Sequence, residues 1–262
     1  ARRIAAVTSQ AAEYKPQYRD ETHLVVHLAG DIIQNTLHDQ RDGTPLAQQT
    51  AAAIHLLTQS LAYLATRFPK VIVKTTPGNH GRFLSRHKER AVHQKWDSLE
   101  TVIYFALKQA LAHLPNITVE IDYRPYYLYD SFGACGMVTH GDTVIRPGYP
   151  GSAINVAGVR NQINEFNAPL SHDERVGLFA VGHVHTASVV HMGNRAVFVS
   201  NGALIPPDSF AGSIGIHDAT CGQQLWEAVP GRIFGDHRFL VVDEYTDKDA
   251  DLEKIVKPFL GF

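Results

Sequence analysis

Short apolar runs that stop abruptly in polar clusters set the frame for this chain. Leu24 to Ala29 runs into Gly30-Asp31, Val71 to Thr76 into Pro77-Gly78-Asn79-His80, and Leu178 to Val181 into Gly182-His183-Val184-His185. A further cluster, His140-Gly141-Asp142, follows the run Cys135 to Thr139. Continuous apolar and β-branched runs bounded by Gly or Pro are the pattern of strands buried in a sheet covered by helices. Loops at the carboxyl edge of such a sheet share a crevice, so side chains that close successive strands can converge on one point.

Helical periodicity runs through Ile54, Leu57, Leu61 and Leu64, and again through Leu99, Val102, Ile103, Ala106, Leu107, Ala110, Leu111 and Leu114, which predicts two sheet-packing helices. Beyond Ile117 the pattern changes to short strands: 117–121, 126–129, 135–139, 178–181, 188–192, 196–200, 223–228 and 239–242, with Met192-Gly193-Asn194-Arg195 as a hairpin turn. One helix, about 153–166, interrupts them after the turn Pro147-Gly148-Tyr149-Pro150-Gly151. A strand–helix half followed by a strand-rich half predicts an α/β protein, one domain over residues 1–262, with two sheets face to face and helices outside. The acidic stretch Asp243 to Glu253 reads as solvated, with Ile255, Val256, Phe259 and Leu260 docking back.

The charge balance, 24 basic against 26 acidic residues for a net −2, excludes a global field that would hold nucleic acid or an anionic membrane, so any polyanion site is local. Cys135 and Cys221 lie far apart, and Cys135 is in a strand-like run; a disulfide framework is not expected, and a reducing cytoplasm fits. No apolar run approaches the ~20 residues of a membrane span and no signal peptide precedes the first element, so the expectation is a soluble protein.

The clusters carry a coherent chemistry. A two-metal hydrolase needs a carboxylate that bridges cations ~3.5–4 Å apart and neutral ligands that keep each cation Lewis-acidic. Asp31 is the candidate bridge; Asn79 offers an amide oxygen, and His140 and His183 an imidazole nitrogen each, to complete one site. His185 falls to the neighbouring metal, because residues two apart in an extended segment point the same way and a turn there aims them at adjacent cations. His80, next to Asn79, is placed toward the substrate, to donate a hydrogen bond to a phosphoryl oxygen or protonate the leaving oxygen. The attacking group would be a water or hydroxide between the metals. Gly-Asp or His-Gly alone is common in turns; the ordered series, each after a strand, is the informative feature.

That ordered series resembles the calcineurin-like metallophosphoesterase superfamily, whose pattern is Asp-x-His, Gly-Asp, Gly-Asn-His, His and Gly-His-x-His. The resemblance spans residues 24 to 202. It implies a four-layer αββα sandwich of two mixed sheets, two divalent cations (manganese foremost; iron, zinc or magnesium also accepted), and hydrolysis of a phosphoric ester. Carried over, Asp31 bridges, Asn79, His140 and His183 complete one site, His185 serves the other, and His80 is the catalytic histidine. Val199-Ser200-Asn201-Gly202-Ala203-Leu204 is loosely similar to the Asn-Gly strand end of nuclease-like and phage-encoded members. Two features depart from the pattern. The opening Asp-x-His has no counterpart, since His23 lies at the far end of the first strand from Asp31; an opening strand upstream of residue 1 is the expected source. Gly81 stands where many members have Asp after Gly-Asn-His, which removes the usual polarising partner of His80.

Arg82, Arg86, Arg90 and His93 are spaced i, i+4, i+8 and i+11, one face of a helix, with Lys88 and Lys95 nearby. Beside a metal centre that face would hold a phosphate backbone; on its own it is a solvated face partnered by Glu89. Arg146 and Arg160, between the third and fourth clusters, are further candidates for phosphate contact. Tyr123, Tyr126, Tyr127 and Tyr129 either stack bases or, by strand alternation, fill the core. The favoured reading is a phosphodiesterase acting on DNA, RNA or a nucleotide. The alternatives are a phosphomonoesterase with a small substrate and a non-catalytic interaction protein that keeps one metal site.

Overall fold

A computed structural model of the chain describes residues 2–16, 22–35, 44–83, 97–122, 124–193, 196–206 and 221–242. The chain forms two compact units, one of residues 1–123 with 241–262 and the other of residues 124–240. Both combine sheets with helices, so the protein is α/β as the alternation of periods predicts.

In the first unit, β1 (His23–Leu28), β2 (Lys70–Thr75) and β3 (Ile117–Ile121) form a sheet in that order, every pair parallel. Parallel neighbours need crossovers, and α2 (Leu46–Ala65) and α3 (Leu99–Leu111) supply them. Pro45, with φ −52°, opens α2, and the Ser98 side chain caps α3 by accepting from the Glu100 amide. One face of the sheet, Val71, Val73 and Val119, packs against Leu61 and Leu64 of α2 and Ile103, Leu107 and Leu111 of α3. Ala11 and Ala12 of α1 (Arg2–Glu13) join the edge of this core.

In the second unit, β4 (Tyr126–Ser131), β5 (Ala134–Thr139), β6 (Val176–Val181), β7 (Ser188–Gly193) and β8 (Ala196–Ser200) form a mixed sheet ordered β4-β5-β6-β8-β7. Its three central strands are parallel, and β4 and β7 are antiparallel edges. The β7–β8 pairing bears out the hairpin predicted around residues 192–195. α4 (Val156–Asn167) crosses from β5 to β6 and covers one face, with Val159 and Ile163 against Met137, Phe179 and Phe198. β9 (Gly222–Trp226) pairs with β10 (His237–Val241). Tyr129 meets Trp226, and His191 meets Phe234 edge-on at 6.3 Å. Both Tyr129 and His191 alternate away from the α4 face, so this second ribbon covers the opposite face. Tyr127 and Tyr129 are buried, and Tyr126 packs edge-on to Phe166 at 5.7 Å, so alternation assigns these tyrosines to packing rather than to base stacking. Tyr123 and the tail beyond residue 242 lie outside the described residues.

Both cysteines are free. Among the described residues no helix is long and apolar enough to cross a membrane.

The other face of the first sheet carries a polar row: His27 stands opposite Lys74, which pairs with Glu120 on β3. Burial, and then the Lys74 ammonium, hold the His27 imidazole down at about 3. His27 is therefore neutral in the fold, while the unfolded chain takes up a proton below the ordinary value of 6.5. Its contribution is complete above that value and is lost as pH falls toward 3. His27→Gln is expected to flatten the decline of urea midpoints between pH 6.5 and 4; parallel declines in the two proteins would rule this out.

Candidate functional site

The carboxyl edge of the first sheet assembles two of the clusters. β1 and β2 end in register, Leu28 opposite Thr75, and the ladder continues one step further with the Thr76 amide donating to the Leu28 carbonyl at 3.0 Å. Gly30-Asp31 and Gly78-Asn79-His80 therefore leave the sheet side by side. Their glycines are a spacing requirement. A Cβ on Gly30, whose φ is +88°, would fall 2.2 Å from the Gly78 nitrogen, and one on Gly78 would fall 2.1 Å from Asp31 Oδ1. Asp31 Oδ1 accepts the His80 amide at 2.9 Å, and Oδ2 lies 4.0 Å from His80 Nε2. His80 Nδ1 is 3.1 Å from the Gln34 carbonyl, which only accepts, so Nδ1 carries a proton. The Gln34 carbonyl thus partners His80 where Gly81 offers no side chain. Gly81 itself leaves no room for a side chain, because a Cβ there would sit 2.4 Å from Ser98 Oγ.

Two organising residues escaped the sequence reading. Glu100 is fully buried; its Oε1 accepts the Ile32 amide and its Oε2 the Gly78 amide, each at 2.6 Å. One carboxylate thus ties the residue after Asp31 to the residue before Asn79. Its signal was present, since Glu100 falls in register with Ile103, Leu107 and Leu111, an acid on an apolar stripe. Asn35 is buried, and its Nδ2 donates to the carbonyls of His80 at 2.7 Å and Arg82 at 2.9 Å. Gln49 Oε1 in turn accepts the amides of Gln34 and Asn35 at 3.0 Å each. Nothing in the local sequence marks Asn35.

Arg82 is half-buried and forms an isolated bridge with Ser98, so it does not stand on the helix its spacing predicted. Arg86, with Lys88, Arg90, His93 and Lys95, lies outside the described residues.

The second unit repeats the arrangement at its own carboxyl edge. β5, β6 and β8 end in register, Thr139 opposite Val181 and Val181 opposite Ser200. The Gly182 amide donates to the His140 carbonyl at 3.0 Å, and the Asn201 amide to the Val181 carbonyl at 2.8 Å. His140 is 1% exposed, with its Nε2 3.1 Å from His183 Nδ1. Two nitrogens each ~2.0–2.1 Å from one cation stand about 3 Å apart at a right angle and about 3.4 Å apart at the tetrahedral angle. The pair falls within that range and so fits neighbouring ligand positions on one cation.

His183 and His185 do not continue the strand. Their φ values are +51° and +60°, the Val184 amide donates to the Gly182 carbonyl at 2.6 Å, and Val184 is buried between them. His185 is exposed. Strand alternation, expected to point the two imidazoles the same way, does not apply here. Asn201 pins the second ribbon, its Oδ1 accepting the Gln224 amide at 2.9 Å and its Nδ2 donating to Gln223 Oε1 at 2.5 Å. Arg146 and Arg160 are both exposed, the first on the loop after β5 and the second on α4.

Among the described residues six that are not glycine have positive φ, and four of them, Asp31, Asn35, His183 and His185, lie on these two edges. Strained backbone persists where surrounding structure over-determines it, which is typical of functional loops. Asp31 in the first unit and His140 and His183 in the second carry donor atoms that could hold a divalent cation.

No protein-family model matches the chain, and no curated protein matches it. Among solved structures, the chain is similar to the crystal structure of a Vps29 double mutant from Entamoeba histolytica. The two are 12% identical, the match covers 82% of this chain and 96% of that one, and the TM-score is 0.35.

Glu100→Gln turns an acceptor into an amide that faces a backbone N–H. It is expected to lower unfolding free energy by about 1–3 kcal/mol in urea titrations; an unchanged midpoint would show that the carboxylate does not hold the two loops.

Proposed function

We propose that this chain is a metal-dependent phosphoesterase that hydrolyses a phosphodiester in nucleic acid or a nucleotide, as a single metallophosphoesterase domain working in the cytoplasm. Asp31, Asn79, His140, His183 and His185 would hold the divalent cations, Asp31 as the carboxylate ligand. The observation that carries the reading is the His140–His183 pair at the ends of neighbouring parallel strands, His140 buried and His183 half-buried, with ring nitrogens 3.1 Å apart. The loop pair of the first unit supports it, with Asp31 and Asn79 held by glycine contacts and one buried glutamate.

Bound divalent cations would supply Lewis acidity, offsetting phosphoryl charge and lowering the pKa of the attacking water. The protein's own part is positional. Asp31 receives the His80 amide, so carboxylate and imidazole are set by one hydrogen bond. With Nδ1 committed to the Gln34 carbonyl, His80 has Nε2 for a phosphoryl or leaving oxygen, and donates there when protonated. Arg146 and Arg160, exposed on the second unit, together with Arg82 and Arg86, are the proposed phosphate contacts.

The test is metal content alongside hydrolysis of bis-p-nitrophenyl phosphate and p-nitrophenyl phosphate with added manganese. The native protein should cleave the diester. Asp31→Asn and His140→Ala, from different units, should each remove metal and activity together. His80→Ala should keep its metal and lose ~10²–10⁴-fold in kcat. Full activity in His140→Ala would overturn the ligand assignment. Cleavage of the monoester alone would favour the phosphomonoesterase, and one tightly held ion without hydrolysis would favour the interaction protein.

A further inference from the structure

We infer that Tyr149, with Arg146 three residues before it, is a nucleobase-and-phosphate subsite: the ring stacks on a base of the substrate while the guanidinium meets its phosphate. The inference rests on the phosphodiesterase reading and names the substrate class within it, a phosphodiester that carries a nucleobase.

Tyr149 is 77% exposed, the most open of the large apolar side chains among the described residues, yet its backbone is fixed on both sides. Its amide donates to Ser152 Oγ at 3.0 Å, the Ser152 amide donates to its carbonyl at 2.9 Å, and the Asn155 amide closes the turn onto the Pro147 carbonyl at 2.8 Å. This turn is docked on the segment that bears His183 and His185. The Gly151 amide donates to the Val184 carbonyl at 2.7 Å, and Thr186 Oγ1 donates to the Ser152 carbonyl at 3.0 Å. The ring is thereby carried on a turn whose position is set by the histidine loop.

The approach to that turn is equally constrained. Ile145 has a φ of +50° although it is β-branched, and it is held there with its side chain buried among residues of the α4 core. Arg146 is clamped through its backbone, its amide donating to Gln162 Oε1 at 2.8 Å and its carbonyl accepting Gln162 Nε2 at 3.2 Å. Ile145 and Pro147 face inward, and Arg146 and Tyr149 face solvent. The fold gains little from an aromatic ring left in water, and anchoring the backbone beneath it lowers the ordering entropy that a ligand must overcome. An exposed ring on an anchored turn, with a cation three residues before it, has the recognition chemistry of a nucleotide, one face for the base and one charge for the phosphate.

Among the described residues of this unit, the other tyrosines and Phe132 do not compete. Tyr127 and Tyr129 are buried, Tyr126 is packed against Phe166, and Phe132 sits in the β4–β5 turn, at the end of β5 opposite His140.

The experiment measures equilibrium binding of AMP and of ribose 5-phosphate, the same sugar phosphate without its base, by calorimetry on the manganese-loaded full chain. The native protein should prefer AMP. Tyr149→Ala should weaken AMP about 10-fold and leave ribose 5-phosphate unchanged, while Tyr149→Phe keeps the preference because the ring remains. Circular dichroism checks that both variants are folded. No preference in the native protein, an unchanged AMP affinity in Tyr149→Ala, or equal weakening of both ligands would overturn the inference. Binding is read without turnover: a protein that cleaves the diester yet is indifferent to Tyr149 refutes the subsite alone. One that selects AMP through Tyr149 but hydrolyses nothing refutes the catalytic reading alone.

Discussion

Backbone pairing carried one step past the strand ends is the interaction on which the candidate residues of each unit depend. The Thr76 amide reaches the Leu28 carbonyl, the Gly182 amide the His140 carbonyl, and the Asn201 amide the Val181 carbonyl. In a parallel sheet neighbouring strands run the same way, so their carboxyl ends lie on one edge and consecutive loops leave it together. Asp31 beside His80, and His140 beside His183, follow from that register rather than from any attraction between the side chains themselves.

Such crowding has to be accommodated, and the chain does it with missing side chains and one buried charge. Glycines 30 and 78 let two loop backbones approach where any Cβ would collide. The Glu100 carboxylate then collects amides from both loops, satisfying donors that would otherwise be buried without partners. A carboxylate accepting two short N–H bonds is a stiff tie, and it sits on α3, an element whose apolar face is locked into the core. The left-handed residues Asp31 and Asn35 are sustained by that rigidity, and His183 and His185 by the turn bonded to Val184 and Thr186, since a loop with fewer anchors would relax out of the left-handed region.

Much of the element order was legible in advance. The strands 117–121 and 196–200 match their apolar runs end for end, and the stripe from Leu99 marks α3 because a face buried on one side must repeat at helical spacing. Where the reading slipped, a local contact decided. α4 starts at Val156, later than the apolar pattern implied, because the Asn155 side chain caps it by accepting the Gly158 amide. At residues 183–185 two left-handed histidines flank Val184, which turns inward as its amide closes on the Gly182 carbonyl. Arg82, read as the start of a basic helical face, is drawn into a bridge with Ser98.

The order and chemical type of the clusters lie in the amino-acid string itself, because burial periodicity and ligand chemistry are properties of near neighbours and of single side chains. The carbonyl that fixes the His80 proton, the glutamate that ties two loops, the amide of Asn35 beneath them and the turn that holds Tyr149 against the histidine loop belong to the tertiary structure alone. Each is a hydrogen bond between segments about fifteen to seventy residues apart in the chain, made by a group common everywhere in proteins, and only folding selects which of many equivalent carbonyls and carboxylates arrives within reach.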